Sequence, residues 1–320
     1  MLKILGALIL AIPAFAAVGL LWSHLSIQTI EPELPSIEEI LAVGADSADL
    51  PVALRLFGTA SQPMPRSGVL EPSLDPDPEA EYVMAFPVFA LEWADGRIFL
   101  IDLGMERASA LSFGEPAERL LGAEPIEFHA DVAQLLGSAI DRVAGVGFSH
   151  LHTDHTDGAI PLCEAAERTI PLFQTPLQAA RSNYTTRPGL ARIDRAGCLD
   201  ATRLGEGPLY ALPGFPGLSV FATGGHTPGS QVFVARVGDP GGSRLWVFTG
   251  DLANHIDGIL HNLPKPTLYS LFVVPEHRDR LDFLRRRLAE LARQPGVDLL
   301  VSHDLRQLEA MGFAANGKQP

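Results

Sequence analysis

The sequence predicts an α/β protein, and three observations carry that prediction. Short apolar runs of strand character alternate with segments of helical spacing along most of the chain. Four of the strand-like runs close on a histidine or aspartate flanked by glycine or polar residues. A hydrophobic content of 47% over 320 residues is ample for a sizeable core. The net charge of −14 excludes a nucleic-acid wrapping role, because phosphate binding needs a basic face. With two cysteines, Cys163 and Cys198, and no Cys-x-x-Cys pair, the chain is neither a disulfide-dense scaffold nor a zinc ribbon. Two isolated buried thiols are the simplest reading. In an exported domain the two could form one disulfide.

The chain opens with Lys3 followed by residues 4–22, an apolar run without a charge, long enough to cross a bilayer as a helix. Lys3 before it, and Glu31, Glu33, Glu38 and Glu39 after it, predict that the remainder is carried out of the cytoplasm. Residues 1–25 are therefore a transmembrane anchor or a signal peptide cut after Ala16. Continuation of the apolar run through Val18 to Trp22 favours the anchor. The alternative outcome is a periplasmic or secreted protein. Residues 26–50 read as an acidic linker with a short helix at 37–41, and residues 51–320 as one catalytic domain.

Within that domain residues 51–57 alternate as a strand, and 63–79, rich in proline, read as an exposed loop. Strands at 82–93 and 97–102 flank Ala94-Asp95-Gly96, a hairpin signal, and the second ends in Ile101-Asp102-Leu103-Gly104. Asp102 is a turn former that can also support a metal loop from behind. Helical spacing covers 107–121 and 130–143, followed by an apolar strand at 143–149. A helix at 158–168 and a short strand at 171–173 come next. Residues 181–217 read as irregular, with Tyr184, Arg187, Arg192 and Tyr210 available to a cleft. Strands at 218–222, 231–237, 244–248 and 297–301 follow. Leu281, Leu284, Leu288 and Leu291 mark an amphipathic helix over 276–293 with Arg285-Arg286-Arg287 on its outer face.

The chemistry concentrates at His150-Leu151-His152-Thr153-Asp154-His155, directly after a strand. Extended backbone sends His150, His152 and Asp154 to one side, and a turn can swing His155 beside them. Later strand ends present Gly225-His226-Thr227-Pro228-Gly229, Thr249-Gly250-Asp251 and Ser302-His303-Asp304. Strands whose ends open on one rim would gather these side chains. Ligation by histidine and aspartate without thiolate suits zinc and tolerates iron or manganese.

These motifs, in this order, resemble those of the metallo-β-lactamase superfamily over about residues 80–305, with Ile101-Asp102-Leu103-Gly104 similar to its leading acid motif. The resemblance implies an αβ/βα four-layer sandwich. It implies one metal held by His150, His152 and His226 and another by Asp154, His155 and His303, with Asp251 bridging. It also implies hydrolysis of an ester-like bond in a small-molecule substrate by a bridging hydroxide, Asp154 orienting it or passing its proton to the leaving group. Members that hydrolyse β-lactams carry Cys or Ser at the position of Asp251, so lactonases and glyoxalase II-like thioesterases are the nearer comparison, and a β-lactamase or phosphodiesterase is disfavoured. Many lactonases have a tyrosine where this chain has Asn254. His255 and His261 are candidate proton donors, and His277 reads as structural or solvated. A reading from another class, a non-catalytic metal- and ligand-binding sensor or assembly protein of the cell envelope, is opposed by the presence of all seven ligand positions.

Overall fold

The structure, a computed structural model, describes residues 17–205, 207–239 and 241–313. Seven strands form the first sheet: β1 (Pro51–Pro65), β2 (Glu81–Trp93), β3 (Ile98–Ile101), β4 (Glu127–Phe128), β5 (Val143–Gly147), β6 (Ile170–Gln174) and β7 (Leu199–Arg203), in the order β4-β1-β2-β3-β5-β6-β7. Five form the second: β8 (Tyr210–Ala211), β9 (Leu218–Ala222), β10 (Gln231–Asp239), β11 (Gly242–Phe248) and β12 (Val297–Leu300), in the order β12-β11-β10-β9-β8.

Side-chain alternation decides how the layers stack. On β2, Phe89, Leu91 and Trp93 point between the sheets while Val88 and Ala90 face outward to helices. On β10, Phe233, Ala235 and Val237 point between the sheets while Val232 and Val234 face the opposite helix layer. A strand apolar on both faces must be covered on both, so helices lie outside each sheet and the four-layer αβ/βα sandwich results. Gly145 and Gly147 on β5 make the inter-sheet packing possible. A Cβ on Gly147 would stand 2.5 Å from the Phe233 ring, and one on Gly145 2.8 Å from that of Phe215.

Helix α1 (Arg107–Leu121) and the helix Ile37–Leu41 match expectation, as do the hairpin at Gly96 and the antiparallel pairing of β2 with β3. Four expectations need correction. The helix expected over 130–143 covers only Val132–Leu136, because Gly137 turns at φ +52° and a 3₁₀ segment follows. The loop expected over 63–79 begins inside β1 and is not simply exposed: Val69 and Leu70 are core residues, and Arg66 pairs with buried Asp75 at 2.6 Å. Residues 181–217 contain helix α2 (Arg187–Ala196), β7 and β8. Two of the residues that suggested a loop bound the helix instead, Pro188 in its first turn and Gly197 at the C-cap with φ +75°, while the prolines and glycines over 205–217 do lie in turns and loops around β8. In helix α3 (Arg278–Ala292) only Arg286 of the arginine triplet faces outward. Arg285 is buried against Asn262, and Arg287 donates to the Pro35 carbonyl at 2.5 Å.

Most of the N-terminal apolar run falls in residues 1–16, outside the described residues. Residues 17–27 are helical, and among the described residues no helix is long and apolar enough to cross a membrane. The acidic stretch after it lies along the second sheet's helices. Arg280 donates to the Pro32 carbonyl, Arg236 to that of Val43, and Ile40 is buried. Cys163 and Cys198 form a disulfide between the Ala159–Ala166 helix and the turn before β7.

Candidate metal centre

Strand direction sets the site. β3 runs parallel to β5 in one sheet. β11 runs parallel to β12 in the other, and β9 shares their direction because each is antiparallel to β10. Asp102, His150, His226, Asp251 and His303 all follow C-terminal strand ends, so one rim of the sandwich collects them. The Gln231 amide donates to the Ser149 carbonyl at 2.8 Å and ties the two rims together.

Asp102 holds the first cluster in shape. Its φ of +58° is uncommon for a residue with a side chain, and tertiary bonds maintain it. Oδ1 accepts from the Ser149 amide at 2.7 Å, and Oδ2 accepts from the Ser149 hydroxyl at 2.8 Å and from His155 Nδ1 at 2.9 Å. The strand ends at Gly147, earlier than expected, and it is a helical turn over Thr153–Thr156 that brings Asp154 and His155 inward.

Two groups of ligand-type atoms result. His152 Nδ1 lies 2.9 Å from His150 Nε2 and 3.3 Å from His226 Nε2. Asp154 Oδ2 lies 3.5 Å from both His155 Nε2 and His303 Nε2. Asp251 stands between them: its Oδ2 is 3.6 Å from His226 Nε2, and its Oδ1 is 3.4 Å from His155 Nε2 and 3.1 Å from His303 Nε2. All seven side chains singled out in the sequence therefore converge, in the groupings His150, His152, His226 and Asp154, His155, His303, with Asp251 also beside His150 and His155.

The outer hydrogen bonds fix every tautomer. His155 and His303 direct Nδ1 at acceptors, Asp102 and the Ala85 carbonyl at 2.7 Å, so each Nδ1 carries the proton; His226 Nδ1 lies 2.7 Å from Glu276 Oε1 and 3.1 Å from Lys265 Nζ, and the shorter contact, to the carboxylate, puts the proton on it. The Thr185 hydroxyl donates to Asn183 Oδ1 at 2.7 Å and so accepts from His152 Nε2 at 2.9 Å. The Ser149 hydroxyl donates to Asp102 and accepts from His150 Nδ1 at 3.2 Å. Five imidazole lone pairs and two carboxylates thus face one buried space, and nothing among them donates. Among the described residues His155 Nε2 and Asp251 Oδ1 are buried without a hydrogen-bond partner. A cation satisfies this arrangement. Ligands about 2.1 Å from a tetrahedral zinc stand about 3.4 Å apart, close to the separations here.

Electrostatics divide the rings: at His155 and His303 burial is outweighed by the surrounding carboxylates, Asp102, Asp154 and Asp251 at the first and Asp251 and Asp154 at the second, which raise both. Burial, with the neighbouring imidazoles, holds His150 and His152 well below the usual histidine range. Burial would raise Asp251, but the rings of His303, His150 and His155 outweigh it and keep the carboxylate ionised. Sequence reading missed Glu276 and Lys265, which have no motif around them. Buried Lys265 stands 3.1 Å from Glu276, and the Ser270 hydroxyl donates to the other carboxylate oxygen at 2.6 Å. His255 and His261 do not line the cavity over the site. His255 bonds to Arg66 and the Asp257 amide, and His261 is exposed. His277 caps α3 and pairs with Glu31, as a structural histidine does. The cavity holds about 620 Å³ and is lined by Asp154, Asp251, Asn254 and Tyr269 together with apolar Met64, Met84 and Phe113.

No family model and no curated protein matches the sequence. Solved structures do. A quorum-quenching N-acyl homoserine lactone lactonase is 18% identical with a TM-score of 0.57, covering 82% of this chain and 95% of its own. A dizinc quorum-quenching lactonase, solved with the product N-hexanoyl-L-homoserine, is 16% identical with a TM-score of 0.52 over 81% and 92%. A probable metal-dependent hydrolase from Staphylococcus aureus is 15% identical with a TM-score of 0.51 over 80% and 90%. The chain is a metallo-β-lactamase-fold protein.

Proposed function

We propose that the protein is a metal-dependent hydrolase that cleaves an ester-type bond, a lactone, thioester or related linkage, in a small molecule. The observation that carries this is the convergence of five tautomer-set lone pairs and two carboxylates on one buried space at the base of an open cavity. In this reading His150, His152 and His226 would hold one divalent ion and Asp154, His155 and His303 a second, with Asp251 available to both. Zinc fits the donor set, and iron or manganese is tolerated. Bound there, the ions would supply Lewis acidity toward a carbonyl oxygen and bring a water's pKa near neutrality. Asp154, which lines the cavity, would orient the attacking water or pass its proton to the leaving group. The cavity walls accept the apolar part of a substrate and exclude bulk water.

The reading also places the catalytic domain outside the cytoplasm, either membrane-anchored or released after signal cleavage. The charge asymmetry around residues 4–22 supports this, as does a disulfide, which persists in oxidising compartments. Mass spectrometry of the mature N-terminus separates the two forms.

Zinc- or manganese-loaded protein assayed against lactones, thioesters, phosphodiesters and a chromogenic cephalosporin tests the activity. Turnover of lactone or thioester, abolished in His152→Ala, is expected. Bound metal without turnover of any of them would assign the site to ligand binding instead.

A further inference from the structure

Exposed apolar side chains border the cavity. On one side α1 exposes Phe113, Leu120 and Leu121, all of which line the cavity. On the other stand Leu268, Leu271, Phe272 and Val273, with Leu268 69% and Phe272 66% exposed, and Val273 lining the cavity. The helix over residues 17–27 continues this second side. His24 Nε2 meets the Leu271 carbonyl at 2.9 Å, and the helix exposes Val18, Leu21, Leu25 and Trp22, the last by 72%. Tyr184 completes the join by donating to the Val273 carbonyl at 3.3 Å.

Residues 17–27 and 268–274 contain no Asp, Glu, Lys or Arg. A protein–protein interface would carry a polar rim, and a soluble surface would carry charges. An uncharged ridge with a projecting tryptophan matches a surface seated in the headgroup and acyl boundary of a membrane. Residues 4–16, directly upstream, are also without charge. An uncharged sequence running from residue 4 through the ridge favours lipid over a second copy of the chain as its cover.

We infer that this face rests on a lipid bilayer and that the substrate is a membrane-resident ester admitted from the lipid through the cavity mouth. The substrate half of the inference rests on the hydrolase reading above; the docking half does not.

The test uses the full chain reconstituted into phosphatidylcholine vesicles with brominated or ordinary acyl chains. Bromolipid should quench part of the tryptophan emission, and Trp22→Phe should remove that quenchable part, since Trp93 is fully buried and Trp246, the third tryptophan, is half-buried against Phe313 and takes no part in the cavity lining. Metal-loaded Leu268→Ser/Phe272→Ser, whose side chains lie outside the cavity lining, should lose roughly tenfold or more of the rate on vesicle-embedded p-nitrophenyl palmitate, because two large apolar contacts with lipid are removed. Its rate on water-soluble p-nitrophenyl acetate should stay at the wild-type value. Absence of bromolipid quenching overturns the docking. So does a concentration-dependent dimer in lipid-free solution that Phe272→Ser dissociates, which would give the face to a second copy. An unchanged palmitate rate, or equal loss on both esters, overturns admission from the lipid. If wild-type protein cleaves neither p-nitrophenyl ester, admission of a membrane-resident ester is overturned, while the lactone and thioester assay still decides the hydrolase reading and quenching the docking.

Discussion

Glu276 Oε1 lies 2.7 Å from His226 Nδ1, joining a carboxylate just before α3 to the histidine that follows β9. Both groups are buried, and the same oxygen faces Lys265 at 3.1 Å. Burial alone would raise Glu276, but Lys265 and His226 outweigh it and bring it to about 2, so the acceptor stays ionised. Such a partner fixes ring orientation and raises the basicity of the inward nitrogen.

Glu276→Gln should therefore weaken zinc binding by roughly 10–100-fold, read by competition against a chromogenic chelator. Because Lys265 would be left as an uncompensated buried charge, the single variant should also lose stability. Lys265→Met/Glu276→Gln should recover stability without recovering affinity. Full zinc affinity in both variants would remove Glu276 from the site's support.

Zinc should stabilise the protein and chelators destabilise it, since the ligand set is complete only in the folded chain. At free zinc of about 100 times Kd the gain is about 2.7 kcal/mol, visible as a raised Tm. Asp251→Ala, which removes the carboxylate shared by both groups, should lower the metal content per chain and abolish hydrolysis; elemental analysis and the ester assay read the two effects.

Reduction should destabilise the domain. Cys163 and Cys198 are 35 residues apart, and releasing that loop costs roughly 3–4 kcal/mol in the chain-entropy model. Urea unfolding of Cys163→Ser/Cys198→Ser beside the oxidised wild type should show a lower midpoint. The metal ligands lie away from the bridge, so zinc content should be preserved.

Gly250→Ala tests the backbone that presents Asp251. Gly250 has φ +53°, and a Cβ there would stand 2.8 Å from Ser149 Cβ, so the turn must shift against the first cluster. A cost of about 1–2 kcal/mol is expected from the left-handed backbone alone. Activity should fall further than that loss of stability explains, measured as kcat/KM beside thermal melts.

Much of this was legible in the chain itself. His150, His152, Asp154 and His155 announce themselves by density, and His226, Asp251 and His303 by closing apolar runs beside glycine or serine. Continuous apolar runs marked most strands, because a strand covered on both faces leaves that local signature. Where local signal competes with position it failed. Proline and glycine in 181–217 read as loop, yet Pro188 and Gly197 bound a helix, and Gly189 sits where a Cβ would stand 2.2 Å from the Leu151 carbonyl.

By itself the sequence determined which side chains could bind metal, that apolar strands lead into them and how apolar the N-terminal segment is. Those properties are carried by residue type and short-range periodicity. Tertiary structure alone decided that the five imidazoles turn their lone pairs inward, that Glu276 and Lys265 stand behind His226, that the cysteines pair, and that residues 17–27 lie beside Leu271 at the cavity mouth. Each of these depends on contacts between residues far apart in the chain, and such contacts leave no spacing to read.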